Sequence, residues 1–202
     1  MAEKTKLILS EPELLIAQDT QWILTKSAII QKLYIFFNAR MPFIKKIMDK
    51  QIVFLSPEIN SSVPKIFKGE NYLQFPYVIM DYPAVFQKEN IFALRTMFWW
   101  GNFFSVTLHL SGVYKKKYGS KILKQLQTTP QQFYICMNEN EWQHHFEADN
   151  YLAANEISNI NIGEIIKKPF IKVALKYNLQ QWNNMHQLID EAYEKIFCLL
   201  EN

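Results

Sequence analysis

The sequence predicts an α+β fold: an antiparallel meander of about five or six strands packed against N-terminal and C-terminal helices. Three observations carry this. Apolar residues recur at helical spacing near both ends of the chain, the middle alternates with period two, and that middle is rich in aromatic and β-branched residues. With 202 residues, 49% hydrophobic and 20% charged, the chain suits one domain over 1–202. It divides into a helical part over 1–50, a mainly stranded part over 51–177 and a C-terminal helix over 178–202.

Ser10 and Glu13 have capping-box spacing, and Pro12 falls in the first turn of the helix they open. A longer helix starts near Asp19 or Thr20 and carries Trp22, Ile29, Ile30, Leu33, Phe36 and Phe37 at helical spacing. Pro42 is expected to break or restart it before FIKKIMDK. NYLQFPYVIMDYP reads as a strand with both faces covered, and Pro76 argues for a bulge or an edge position. The sheet spans roughly Tyr72 to Phe146, with a further strand available at FIKVALKY. Trp182, Met185, Ile189, Ala192, Ile196 and Leu200 form the apolar stripe of the last helix.

The stretch RTMFWWGNFFSVTLHLSG, Arg95 to Gly112, allows a test of register. A three-residue loop, Trp100-Gly101-Asn102, pairs Trp99 with Phe103. Phe92, Leu94, Thr96 and Phe98 then share a nearly all-apolar face with Phe104, Val106, Leu108 and Leu110. A slip of one residue would turn every side chain over, so this register is preferred. The opposite face carries Ala93, Arg95, Met97 and Trp99 beside Phe103, Ser105, Thr107 and His109. Apolar walls with a few convergent polar groups suit a ligand pocket, so Arg95, Trp99, Phe103, Thr107 and His109 are the candidate ligand-binding residues. Arg95 would hold an anionic group and His109 would add a titratable hydrogen bond. Two other readings stay open: a covering helix with Arg95 paired to a carboxylate such as Asp81, or a homodimer interface.

QQFYICMN and EWQHHFEAD, separated by NEN, read as a second hairpin that pairs Met137 with Trp142. That arrangement sends His144 and His145 to opposite faces and lines up Glu141, His145, Glu147 and Asp149. His145, Glu147 and Asp149 thus form an alternative site for a divalent metal, serving a hydrolase-like enzyme. No spacing diagnostic of a metal site supports it, and the default is a solvated sheet face with no metal or other cofactor.

Absences narrow the field. The five glycines are too scattered for GxGxxG, and there is no GxxxxGK, so dinucleotide and P-loop functions are disfavoured. GxSxG is missing as well. Cys136 and Cys198 sit in apolar surroundings and read as buried free thiols of a reducing compartment. No secretory pattern opens the chain and no apolar run is long enough to span a membrane, which implies a soluble, cytoplasmic protein. The basic run YKKKYGSKILKQ reads as a solvated loop entering a helix capped by Ser120, although Tyr114 and Tyr118 would suit base stacking. A net charge of +3 disfavours nucleic acid as a partner.

KGENYLQFPYVIMDYPAVF (Lys68 to Phe86) and RTMFWWGNFFSVTLHLSG together resemble a family of uncharacterised proteins from Bacteroidetes. The resemblance covers about a fifth of the chain, implies a bacterial cytoplasmic protein, and carries over no catalytic residue. The expected function is a non-enzymatic ligand-binding or protein-interaction module, with a small anionic ligand or a second copy of the chain as its partner.

Overall fold

A computed structural model describes residues 8–51, 55–130 and 132–201. The fold is α+β. A seven-stranded antiparallel sheet is flanked by N- and C-terminal helices.

The chain opens with α1 (Glu11–Gln18), where the Glu13 carboxylate accepts the Ser10 backbone N–H at 2.7 Å. Next comes α2 (Thr20–Lys50), N-capped by Asp19, whose Oδ1 accepts the Trp22 N–H at 2.9 Å. Contrary to expectation, Pro42 does not end α2, which is continuous through it over 31 residues in all. A proline inside a helix costs one backbone hydrogen bond, and here packing outweighs it. Phe37 before the proline and Ile44, Ile47 and Met48 after it are all buried on the same body.

After the short α3 (Pro57–Asn60), four strands form a meander: β1 (Lys65–Tyr72), β2 (Phe75–Phe86), β3 (Ile91–Trp99) and β4 (Phe103–Ser111). NYLQFPYVIMDYP is therefore a hairpin rather than one strand. Leu73 and Gln74 turn the chain with positive φ (48° and 71°), and Asn71 Oδ1 steadies the turn by accepting the Gln74 N–H at 3.1 Å. Pro76 lies on an inner strand, opposite an irregularity in β1–β2 pairing between Gly69 and Tyr72, so the bulge expected there is present and the edge position is not; a second irregularity falls between Asp81 and Ala84. The β3–β4 register is the expected one throughout, from Trp99 opposite Phe103 to Phe92 opposite Leu110. Gly101 supplies the positive φ of its loop.

Next follow α4 (Gly112–Thr128), β5 (Tyr134–Cys136), β6 (Tyr151–Ala153), α5 (Asn159–Lys167), β7 (Phe170–Asn178) and α6 (Met185–Cys198). The sheet order β1-β2-β3-β4-β7-β5-β6 departs from a simple meander, because FIKVALKY inserts beside β4. The expected hairpin over 132–149 does not form: β5 pairs with β6 and β7, and residues 138–150 are a loop. YKKKYGSKILKQ, expected as a loop entering a helix at Ser120, is helical throughout. It lies inside α4, whose Tyr114 and Tyr118 are buried edge-on against Phe92. Those rings are not offered to bases. Cys136 is buried as expected, but Cys198 is exposed on the last turn of α6. Among the described residues, no helix is long and apolar enough to cross a membrane.

The helices α2, α4 and α6 pack on the nearly all-apolar face of the sheet, and their contact forms the main core. A buried polar link in it joins Thr96 Oγ1 to the Tyr193 hydroxyl at 2.7 Å. On α6 the stripe Met185, Ile189, Ala192 and Ile196 is buried as expected, while Trp182 falls in a 3-10 turn (Leu179–Asn184) ahead of it. The other sheet face is covered by the chain itself, and that cover defines what sites remain.

Candidate functional site

Cross-strand register assembles the second face. Asp81 lies opposite Arg95, Arg95 opposite Thr107 and Thr107 opposite Ala174, while His109 lies opposite Lys172. Strand alternation points all of these side chains the same way. Arg95 grips Asp81 with both ends of its fork, Nε to Oδ1 and Nη2 to Oδ2, each at 2.8 Å. Asp81 is 2% exposed, so this is a buried, bidentate, charge-assisted pair. The carboxylate partner expected for Arg95 is thus present, but the cover is a loop and not a helix.

The loop 138–150 lies over this row. Its backbone takes the hydrogen bonds that a hairpin ladder would have supplied from side chains instead. Asn138 Oδ1 accepts the Asn140 N–H at 2.8 Å, and Asn140 Oδ1 accepts the Trp142 N–H at 2.9 Å. Lys172, 1% exposed, donates to the carbonyls of Glu141 and Gln143. The Tyr72 hydroxyl accepts the N–H groups of His144 and His145 at 2.6 and 3.1 Å. Asn150 holds the His145 carbonyl from below, and Cys136 Sγ donates to Asn150 Oδ1 at 3.4 Å.

Two histidines complete the layer. His144 Nε2 sits 3.0 Å from Arg95 Nη1. A guanidinium only donates, so His144 must accept there and carries its proton on Nδ1. Burial, with the Arg95 charge next, holds its pKa well below the usual histidine value. His109 Nε2 is 2.7 Å from Glu141 Oε2. Burial lowers the His109 pKa, with the Glu141 contact opposing, and the same contact holds the Glu141 carboxyl below its usual range. Burial also takes the Lys172 amine down to about 8.

The five candidate ligand residues therefore share a face, but the chain's own loop fills the space before them. Trp99 and Phe103 are packed by Tyr72, Phe75 and Phe146. A cavity of about 10 Å³ is left beside Arg95, Thr107, His109 and Lys172, at the lower limit for a single water. The alternative metal residues do not converge. His145 Nε2 meets Asp149 Oδ1 at 3.1 Å, Glu147 is exposed, and among the described residues no group of three or more His, Cys, Asp or Glu is placed to hold a metal ion.

Replacing Tyr72 with Phe tests how the loop is held. It removes the one acceptor shared by two loop amides, an expected cost of about 1–3 kcal/mol. Amide exchange at His144 and His145 should accelerate while β3 and β4 stay protected, and unchanged exchange at both would show that the hydroxyl is not the anchor.

A larger open concavity lies elsewhere. A cleft of about 590 Å³ runs between the start of α4, the β2–β3 turn and the α5–β7 junction. The buried Ile91, Leu123 and Ile171 form its apolar floor, and the exposed Ile166 and Pro169 stand at its edge. Lys88, Lys115, Lys116 and Lys168 rim it, against Glu89 and Glu141. Two of the lysines are structural. Lys115 donates to the carbonyls of Ile165, Ile166 and Lys168, capping the end of α5, and Lys168 donates to those of Met137 and Asn138. Burial lowers the Lys115 pKa. Lys88 and Lys116 are exposed, and neither has a hydrogen-bond or ion-pair partner among the described residues.

Gly112 shapes the corner where α4 begins. Its φ is +54°, and a Cβ there would lie 2.1 Å from Asn90 Oδ1 and 2.3 Å from the Glu89 carbonyl oxygen. Only glycine fits a position so close to backbone. Glu141 belongs both to the cleft wall and to the buried layer, through His109.

Comparison of the chain with family models, with curated proteins and with solved structures finds no match in any of the three.

Proposed function

We propose that this protein is a non-enzymatic binding module whose ligand is a small anionic amphiphile seated in the α4 cleft. The observation that carries this reading is the cleft itself. Its volume of about 590 Å³ lies within the roughly 300–1,000 Å³ of small-molecule sites. An apolar lining suits a short hydrocarbon body, and the exposed Lys88 and Lys116 at the rim favour a negatively charged head, whereas the buried Lys168 is paired with Glu139 at 3.3 Å. Lys88 and Lys116 are the head-group contacts, because their ammonium groups are not committed to the fold. The start of α4 adds a favourable dipole on the same side. The reading keeps the expectation of a small anionic ligand and moves it from the Arg95 face, which the loop fills, to the lysine-rimmed cleft.

Isothermal titration with decanoate, using decanol and inorganic phosphate as part-ligands, tests this. Decanoate should bind one per chain and more tightly than either part-ligand. Lys88→Glu with Lys116→Glu should weaken it by about tenfold or more, since reversing contact charges acts directly on the head group. Both positions are exposed, so the variant should fold normally. Equal affinity for decanol, or no effect of the double reversal, contradicts the assignment.

A further inference from the structure

We infer that the N-terminal arm is a dimerisation element, exchanged between two copies of this chain. The inference does not depend on the α4 cleft. Helix α1 buries none of its residues, and α2 is not buried before Leu33. Yet Leu14, Leu15 and Ile16 on α1, and Trp22, Ile23 and Leu24 on α2, are large, apolar and exposed. They are spread round their helices instead of forming a single stripe, so one face of the chain's own body could not cover them all. With Ile8 and Leu9 they offer on the order of 800 Å² per copy, the area each partner gives to a standard interface.

A receptor for the arm lies at its base. Two adjoining hollows of about 210 and 280 Å³ share Lys32 and Trp182. Ile29, Phe36, Phe98 and Met185 supply most of the remaining apolar wall. Lys32 is exposed at the edge, with no hydrogen-bond or ion-pair partner among the described residues. The arm brings the complementary chemistry, with Leu14 and Leu15 for the hollows and Glu11 and Glu13 for the lysine.

The occupant is a second copy for reasons of reach. From Asp19 to Lys32 the helix rises roughly 20 Å, while α1 is only about 12 Å long. Folded back on its own α2, the α1 helix stops short of the hollows. Two copies related by a two-fold axis can each seat an arm in the other, which closes the assembly with no exposed apolar end. Among the described residues the arm's charges are Glu11, Glu13 and Asp19 against Lys26, which is paired with Glu70, so they give no basic face for an anionic membrane.

Sedimentation equilibrium on the full chain decides the matter. The wild type should be dimeric at micromolar concentration. Leu14→Glu with Leu15→Glu should raise the dimer dissociation constant by roughly 100-fold or more. Both leucines are exposed, so the circular dichroism spectrum should not change. Lys32→Glu should also weaken the dimer, and Glu11→Lys added to it should restore part of the loss. A wild type that stays monomeric overturns the inference, whether or not it binds phosphatidylcholine vesicles. So does a dimer that survives the double leucine change.

Discussion

Arg95→Ala is expected to lower the unfolding free energy by about 3–5 kcal/mol, the range for stripping one partner from a buried ion pair. The loss arises less from the missing contact than from what remains. Asp81 would stay beneath the loop with its carboxylate uncompensated, and His144 Nε2 would lose its donor. Removing both charges together, with Asp81→Leu and Arg95→Met, should cost much less, because no lone charge is then buried. Urea denaturation of the two variants checks this. Equal losses would mean that the pair acts through packing and not through its charges.

Acid is expected to open the loop. His144 and His109 both titrate below the ordinary 6.5 in the folded protein, chiefly through burial. The unfolded chain therefore binds protons first as pH falls, and stability must fall with it. The contribution is complete above 6.5 and is lost as pH drops toward the folded values. Over that window each group adds a slope approaching about 1.4 kcal/mol per pH unit. A protonated His144 would set an N–H against the Arg95 N–H, so the loop should detach before the sheet melts. Hydrogen exchange at pH 7 and pH 5 should show protection lost over 138–150 and kept in β3 and β4. His144→Gln, which can accept without titrating, should flatten the response. A pH-independent loop would contradict the role of His144 as the acceptor that ties the loop to Arg95.

Much of this fold is legible in the residues. The β3–β4 register follows from one hydrophobic criterion, since the chosen alignment leaves a nearly all-apolar face and the two-residue loop does not. That alignment also places Arg95, Thr107 and His109 together and makes Asp81 a natural partner. The 138–150 loop is less accessible, because alternation in EWQHHFEAD imitates a strand. What overrides it is a set of distant acceptors and donors, Tyr72 and Lys172 above all, that satisfy its backbone without a ladder. Lys172 does leave a trace: a lysine amid the apolar run FIKVALKY, on the face shared by Ala174 and Lys176. The α4 cleft leaves almost none. Lys88, Lys116 and Lys168 are far apart in sequence and meet only through the sheet order, which one sequence does not disclose. The helical course of YKKKYGSKILKQ was masked by Gly119, which α4 accommodates in its interior.

The central claim is that ligand binding belongs to the α4 cleft and not to the aromatic face. Backbone chemical-shift mapping during titration with decanoate tests it most directly. Shifts confined to Lys88–Ile91, the first turns of α4 and Ile166–Ile171 are the predicted result. Shifts centred on Trp99, Phe103, Thr107 and His109, with the cleft silent, would contradict it.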